Sequence, residues 1–379
     1  MNFDPVAWIR RLFAPIDPWL FGILTATLAG AFVVMMSASP ERFQSHCMNI
    51  LVGLTVLWVT AHMRPQNLYN LALPLYVVGV LLLVAVALVG ESSKGAQRWL
   101  NLGVARIQPS ELMKIAMPLM LAWYFQKREG SLKWRDFVVA TALLAVPVGL
   151  IAKQPDLGTA LLVLGAGIFV IFFAGLSWKL IVPVTLIGVA GVVGIIMYQT
   201  QICQPDVKWP GMKEYQKHRV CTLLDPSSDP LGKGFHTIQS TIAVGSGGVF
   251  GKGWREGTQA HLDFLPERHT DFILAVLSEE FGLIGVIVLT ILYGMLIARG
   301  LAIAANAPNL FGRLLAGAIT MTFFCYAFVN MGMVSGILPV VGVPLPFVSY
   351  GGTALVTLCL GVGVLMSVRR YRLRTAGGA

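Results

Sequence analysis

A polytopic all-α membrane protein with about ten spanning helices is the fold class this sequence predicts, and three observations predict it. Apolar residues make up 56% of the 379 residues and charged residues only 12%, where soluble domains carry about 25% charge. The mean hydropathy is +0.73, and so few charges would leave a globular surface without polar cover. The apolar residues also fall into continuous runs near the roughly 20 residues a helix needs to cross a bilayer, without the alternation of barrel strands. The same composition excludes collagen, intrinsic disorder and a small disulfide framework. The formal charge of +10 is first a question of which membrane face each Lys and Arg occupies, and no nucleic-acid partner is expected.

Taken in order, the runs place spans near 19–37, 47–63, 71–90, 111–126, 137–152, 157–175, 179–200, 271–298, 314–334 and 352–368. The first is too long for a signal-peptide core and nine more follow, so it reads as a retained helix. Ahead of it, Trp8, Ile9, Arg10, Arg11, Leu12 and Phe13 predict a short amphipathic helix on the membrane surface. Ten spans put both termini on one side. Fourteen Lys and Arg fall on that side and six on the other, apart from eight in the segment 201–270, which is too long to affect orientation. Both termini are therefore expected in the cytoplasm. Residues 1–379 read as one membrane domain, with 201–270 as its large extracytoplasmic loop.

Basic residues on the outer face run against the insertion bias, and four of the six sit close together: Lys94, Arg98, Arg106 and Lys114. Trp99 lies among them, and Glu111 and Lys114 are i,i+3 partners just inside the fourth span. One reading is a clamp for an anionic headgroup, since Arg and Lys match phosphate oxygens. The other is a set of cations reaching ordinary anionic lipids. Lys114 favours the clamp because it stands within an apolar run, where charge is costly. The tight link Lys153-Gln154-Pro155-Asp156 needs a turn, and Asp156 serves either that turn or a substrate.

The long loop divides in two. Residues 201–230 are polar, and Leu231–Trp254 is Gly-rich, a composition suited to close backbone packing on the membrane surface. It does not match a P-loop, and His218, His236, His261 and His269 lack zinc spacing, so no metal is assigned. Thr270 and Asp271 then lead into the eighth span. Asp271 reads either as a helix cap or as a boundary carboxylate able to take a proton from a hydroxyl. Deeper in that span stand Glu279 and Glu280, which need internal partners. At 100° per residue, only Glu279 could share a cavity with Asp271. Between the last two spans, residues 335–352 hold three Pro and four Gly from Gly336 to Gly352. That predicts non-helical chain at membrane depth, packed on protein or lining a cavity.

Five blocks, Gly95-Ala96-Gln97-Arg98-Trp99, Gln108-Pro109-Ser110-Glu111, Gln154-Pro155-Asp156-Leu157-Gly158-Thr159, Pro266 through Phe272 and Leu338 through Gly352, together resemble the SEDS family. These are the shape, elongation, division and sporulation polymerases of bacterial cell-wall synthesis. The blocks extend over most of the chain. Leu265 through Asp271 and Pro339 through Pro344 are more similar to the elongation branch than to the division branch. The resemblance implies a peptidoglycan glycosyltransferase that polymerises lipid II, an undecaprenyl-pyrophosphate-linked disaccharide peptide, at the outer leaflet. The implied role is cell elongation and rod shape. The implied setting is the cytoplasmic (inner) membrane, with a class B penicillin-binding protein transpeptidase as partner. It also places the essential acid at Asp271.

On that chemistry Asp271 is the base for the incoming 4-hydroxyl, and attack inverts the anomeric centre. Arg98, Arg106 and Lys114 would bind pyrophosphate. Trp99, Glu111, Asp156 and Glu279 complete the candidate substrate-binding set. No cofactor is required, although a divalent cation remains an open possibility. A lipid II flippase and a non-catalytic scaffold stay open as alternatives. Cys203 and Cys221 are candidate disulfide partners because the topology puts both outside the membrane.

Overall fold

The computed structural model describes residues 14–93, 96–101, 106–204, 206, 207, 209, 214–225, 233–262, 265 and 267–376. The amphipathic helix expected at 8–13 lies outside the described residues. Every apolar run is helical. In chain order, α1 is Pro18–Ala38, α2 is Phe43–His62 and α3 is Pro65–Val89. Three strands follow: β1 Glu91–Ser93, β2 Ala96–Asn101 and β3 Arg106–Ile107. Then come α4 Pro109–Lys127, α5 Trp134–Lys153, α6 Leu157–Phe173 and α7 Trp178–Met197. The long loop holds α8 Gln199–Ile202, α9 Glu214–Leu224, α10 Lys233–Ser246 and α11 Thr258–His261. The chain ends with α12 Ile273–Ala305, α13 Leu310–Val334 and α14 Gly352–Ala376.

Eight of the described helices have the length and composition to cross a membrane, α2 being counted with the short turn Pro40–Arg42 that precedes it. The other two long ones differ in kind. The α6 helix has 17 residues, and α4 carries Glu111 and Lys114 within its 19. Proline opens α1, α3 and α4, where its missing N–H costs nothing and its φ suits the first turn. Asp17 caps α1 by accepting from Trp19 N at 2.9 Å and Leu20 N at 3.1 Å. Its other oxygen meets Arg299 at 2.7 Å and Arg369 at 2.8 Å, tying the start of α1 to α12 and α14.

The core is built where α4, α6 and α13 meet, with Met113, Met117, Phe125, Val163 and Tyr326 almost fully buried. Around it α2 packs on α14, and α1 packs on α12. None of the described residues of α7 is buried. The strands form one antiparallel sheet, ordered β1-β2-β3, in what the sequence presents only as a loop. Leu100 pairs with Ile107 and Asn101 with Arg106. Cys203 and Cys221 are joined by a disulfide between the end of α8 and the middle of α9, with Cα atoms 5.7 Å apart.

Two features depart from the expected course. The Gly-rich stretch does not simply lie on a surface, since Lys233–Ser246 is helical and packs on α12. The eighth span is also broken, because Gly282 in the middle of α12 has φ 64° and ψ −161°. A break at membrane depth strips backbone groups of their helical partners, which is tolerable only if protein replaces them. Residues 248–253 do so. Lys252 N donates to Glu279 O at 2.9 Å and Gly253 N to Glu280 O at 3.0 Å. In return Leu283 N donates to Gly248 O at 2.9 Å and Ile284 N to Val249 O at 3.2 Å. The contact is backbone to backbone, and a Cβ on Gly282 would stand 2.3 Å from Gly251 N. Only glycine fits there.

Candidate active site

The residues of interest gather at one end of the bundle, opposite the Asp17 cluster. Asp271 sits in the turn before α12. The N-cap of that helix is Phe272, with no side-chain cap bond, so Asp271 does not cap it. Thr270 does not either; its hydroxyl turns back to Glu267, 3.1 Å from Oε2. The turn is fastened from the far side by the loop between α13 and α14. Ser349 Oγ donates to Thr270 O at 2.5 Å, and Tyr350 N donates to His269 O at 2.8 Å. The loop is non-helical and largely buried between Val343 and Ser349, as its Pro and Gly content predicts.

Asn330 of α13 holds both pieces in register. Its Nδ2 donates to Asp271 O at 2.8 Å and to Val343 O at 2.7 Å. Asp271 is half-buried, and its carboxylate faces Gly342, where an added Cβ would lie 3.4 Å from Oδ2. Gly342 has φ 75°, a conformation that glycine adopts without a steric penalty. One turn along α13 from Asn330, Tyr326 receives a hydrogen bond from Lys114 Nζ at 2.6 Å. Lys114 also pairs with Glu111 at 2.6 Å and is only 3% exposed. A charge so enclosed needs its carboxylate partner, and the i,i+3 spacing supplies it.

Next to that pair stands Asp156. Its Oδ1 caps α6 through Thr159 N at 3.2 Å, and its Oδ2 accepts from Gln108 Nε2 at 3.0 Å. Arg98 reaches it from β2, with Nε 3.9 Å from Oδ2 and Nη2 donating to Pro155 O at 2.7 Å. Arg98 Nε is buried with no hydrogen-bond partner. The same α13–α14 loop closes on this cluster, because Val341 O lies 2.7 Å from where a Cβ on Gly158 would stand. Thus Asp271 and Gly158, two residues after Asp156, border the α13–α14 loop, while α13 holds Lys114 through Tyr326 and the Asp271 backbone through Asn330. Trp99 is half-buried beside Arg98 on β2. The backbone of Arg106 pairs in β3, while its side chain lies outside the described residues.

Glu279 is placed differently. It is fully buried, and its Oε1 accepts from Lys252 Nζ at 2.6 Å, Thr258 N at 2.9 Å and Thr258 Oγ1 at 3.0 Å. Gln259 N adds a fourth donor at 3.2 Å. Glu280 points the other way and accepts from Ser37 of α1. Near the Asp271 turn, His236 of α10 stacks on Phe272 with centroids 5.9 Å apart, and burial holds its pKa below the usual value. No group of three or more His, Cys, Asp or Glu is positioned for a metal ion among the described residues.

Tyr326, Asn330 and Gln108 are the site residues the sequence reading did not assign a role. The available signal was the pair Tyr326 and Asn330, two polar groups one helical turn apart inside an apolar span. The family model for FtsW, RodA and SpoVE, described as cell cycle proteins, matches residues 18–374. The chain belongs to that family. The resemblance read from the five sequence blocks is borne out. The family member MrdB of Escherichia coli K12, a peptidoglycan glycosyltransferase, is 49% identical over 94% of each chain. Stage V sporulation protein E of Bacillus subtilis is 39% identical over 77% of this chain and 76% of its own. Among solved structures, a chain of a peptidoglycan synthase complex that coordinates polymerization and crosslinking superposes with TM-score 0.77 at 36% identity. It covers 94% of this chain and 98% of that one. The rod shape determining protein RodA of Thermus thermophilus gives TM-score 0.67 at 29% identity, covering 94% and 97%. The polytopic helical fold expected from composition is the fold of the family.

Proposed function

We propose that this chain is a peptidoglycan glycosyltransferase of cell elongation, polymerising lipid II at the outer leaflet of the bacterial cytoplasmic membrane. The observation that carries the reading is the position of Asp271, whose carboxylate faces the α13–α14 loop at Gly342 while the same loop reaches Gly158, next to the Asp156 and Arg98 pair. Relatives that carry the glycosyltransferase name support it.

The geometry suits the reaction. The incoming 4-hydroxyl is a poor nucleophile, and Asp271 takes its proton as the oxygen attacks the anomeric carbon of the second lipid-linked saccharide. A new C–O bond forms as the anomeric C–O bond to pyrophosphate breaks, with inversion and no glycosyl-enzyme. The departing pyrophosphate gains negative charge. Arg98 offers its guanidinium, whose Nε makes no hydrogen bond, and Arg106 lies on the adjacent strand. Lys114 adds its field from beneath, held by Glu111 and Tyr326. In this scheme Asp156 orients Arg98, and Trp99 borders the sugar. A divalent cation on the pyrophosphate would supply further charge neutralisation. A class B penicillin-binding protein is the partner that would crosslink the product.

The deciding experiment is reconstitution of the purified chain with lipid II, with and without a class B penicillin-binding protein. Glycan polymer that survives inactivation of the transpeptidase is the expected result. Transbilayer movement of lipid II without polymer would instead make the chain a flippase.

A further inference from the structure

The end of the bundle opposite the Asp271 turn carries a cavity of about 320 Å³, where α3 and α13 begin and α4 and α14 end. That volume falls within the range of small-molecule sites. Gln66, Gln126 and Asn309 bring amides to it, Tyr69 and Tyr371 bring hydroxyls, and Phe311 completes its wall. No Asp or Glu lines it among the described residues. Two bonds hold its walls together. Phe311 N donates to Gln126 Oε1 at 2.7 Å, joining α13 to α4. Ser367 Oγ donates to Met63 O at 2.6 Å, joining α14 to the turn before α3.

The sequence fixes the depth of this cavity in the membrane. The apolar runs of its four helices end near 71, 126, 314 and 368, and every lining residue falls at such an end or within six positions outside it. That is the headgroup layer, where Tyr and Trp collect. Trp123 stands there too, its ring 6.3 Å from that of Tyr69 and 4.8 Å from Lys127 Nζ. A lysine laid over an aromatic in this way keeps its ammonium at the water boundary. Charge then selects the kind of head. Within three positions of the lining residues stand eight Lys and Arg against one acid, Glu129. Two of the eight are engaged elsewhere, Arg128 with Asp136 and Arg369 with Asp17. A basic collar in the headgroup layer attracts phosphate and repels the ammonium of a zwitterionic head.

We propose that this cavity seats the head of an anionic glycerophospholipid of the phosphatidylglycerol type, drawn from the leaflet opposite the Asp271 turn. In the orientation proposed above, that leaflet is the cytoplasmic one. The phosphate meets Lys127 and Arg372, the glycerol hydroxyls enter among Gln66, Tyr69 and Asn309, and the acyl chains stay in the bilayer. One lipid thereby clamps α3, α4, α13 and α14 together. The clamp lies at the far end of α4 and α13 from the bond between Lys114 and Tyr326, which joins the same two helices. The site rests on the membrane embedding and does not need the polymerase reading.

The test titrates the full chain in mild detergent with phosphatidylglycerol, phosphatidylcholine or free glycerol phosphate, read by thermal unfolding and native mass spectrometry. Phosphatidylglycerol should raise the unfolding temperature, as any ligand of the folded state does, and leave one lipid retained. The other two should do neither. Lys127→Gln and Arg372→Gln should each weaken the dependence on phosphatidylglycerol about fivefold, the usual worth of one basic group at an anionic lipid surface. Gln66→Trp, which fills the cavity from an exposed position, should remove the retained lipid while unfolding without lipid matches wild type. Lys179→Gln changes an exposed cation at the start of α7, away from the cavity, and should leave the titration as it was. A phosphatidylglycerol probe with a diazirine near its head should crosslink to the peptides that hold Tyr69 and Tyr371. Equal protection by phosphatidylcholine, or an equal loss in Lys179→Gln, overturns the site and leaves only a generally basic surface. Equal protection by glycerol phosphate also overturns it, in favour of a soluble phosphate ligand. Retention unchanged in Gln66→Trp, or crosslinks confined to other peptides, places the lipid elsewhere.

Discussion

Asp271 and Glu279 sit at the start of one helix and meet opposite environments. Glu279 is fully buried and accepts from Lys252, Thr258 and Gln259, which hold the loop 252–259 against the broken helix. Asp271 is half-buried, does not cap α12, and faces Gly342 on a loop that also reaches Gly158 beside Asp156. A buried carboxylate with a full set of donors is a structural joint, because removing it strands those donors. Asp271, by contrast, is held through its backbone, where Asn330 Nδ2 donates to its carbonyl.

The comparison breaks first, and most strongly, at Asp271→Asn. No cap is lost, and the Asn330 bond goes to the backbone, so folding and insertion should match wild type. Polymerisation of lipid II should fall by about 10²–10⁴-fold, the usual contribution of a general base. A variant that polymerises at near wild-type rate would remove Asp271 from the proton transfer.

Glu279→Gln should fail in the opposite way. It keeps the shape but loses the charge that pairs with Lys252, whose side chain is 28% exposed. Breaking a buried pair costs about 3–5 kcal/mol, and the partial exposure of Lys252 puts the expected loss near the lower bound. Thermal unfolding in detergent should drop clearly, while activity per folded molecule stays within a few-fold. If stability were unchanged and lipid II use impaired, Glu279 would belong with the substrate instead.

Arg98→Ala sharpens the other edge of the site. Loss of one charge-assisted phosphate contact corresponds to about 1.5–3 kcal/mol, seen as a 10- to 100-fold weaker dependence on lipid II concentration. Lys114→Ala should add a folding defect, since Glu111 would be left without its cation in a buried setting. A saturation curve identical to wild type for Arg98→Ala would confine that residue to its bond with Pro155 O.

The uneven legibility of these residues in the sequence has a physical cause. Continuous apolar composition commits backbone to helix whatever surrounds it, so all ten runs became helices. The Glu111–Lys114 pair follows from spacing on one helix. Tyr326 meets Lys114 across 212 positions of sequence, and no local pattern encodes such a meeting. The break at Gly282 was hidden for the same reason. A glycine inside an apolar run marks close packing as readily as a positive φ, and only the inserted segment 248–253 decides which. Whether Asp271 caps α12 turned on a single residue, since the helix begins one position later than a cap would need.

The smallest effect is expected at Cys203 and Cys221, which lie 18 positions apart on the segment between α7 and α10. Closing a loop of that size stabilises the folded segment by about 3 kcal/mol in the chain-entropy model. That gain is local, because the bridge ties the end of α8 to α9. Replacing both cysteines by Ser should therefore leave polymerisation within about twofold while making residues 199–225 easier to cleave by limited proteolysis. Alkylation of freshly prepared membranes should label neither thiol until a reductant is added, as an oxidising compartment on that face requires. Full labelling without reductant would place the segment in a reducing compartment. Because Asp271 shares its end of the bundle, that result would also move the proposed chemistry away from the outer leaflet.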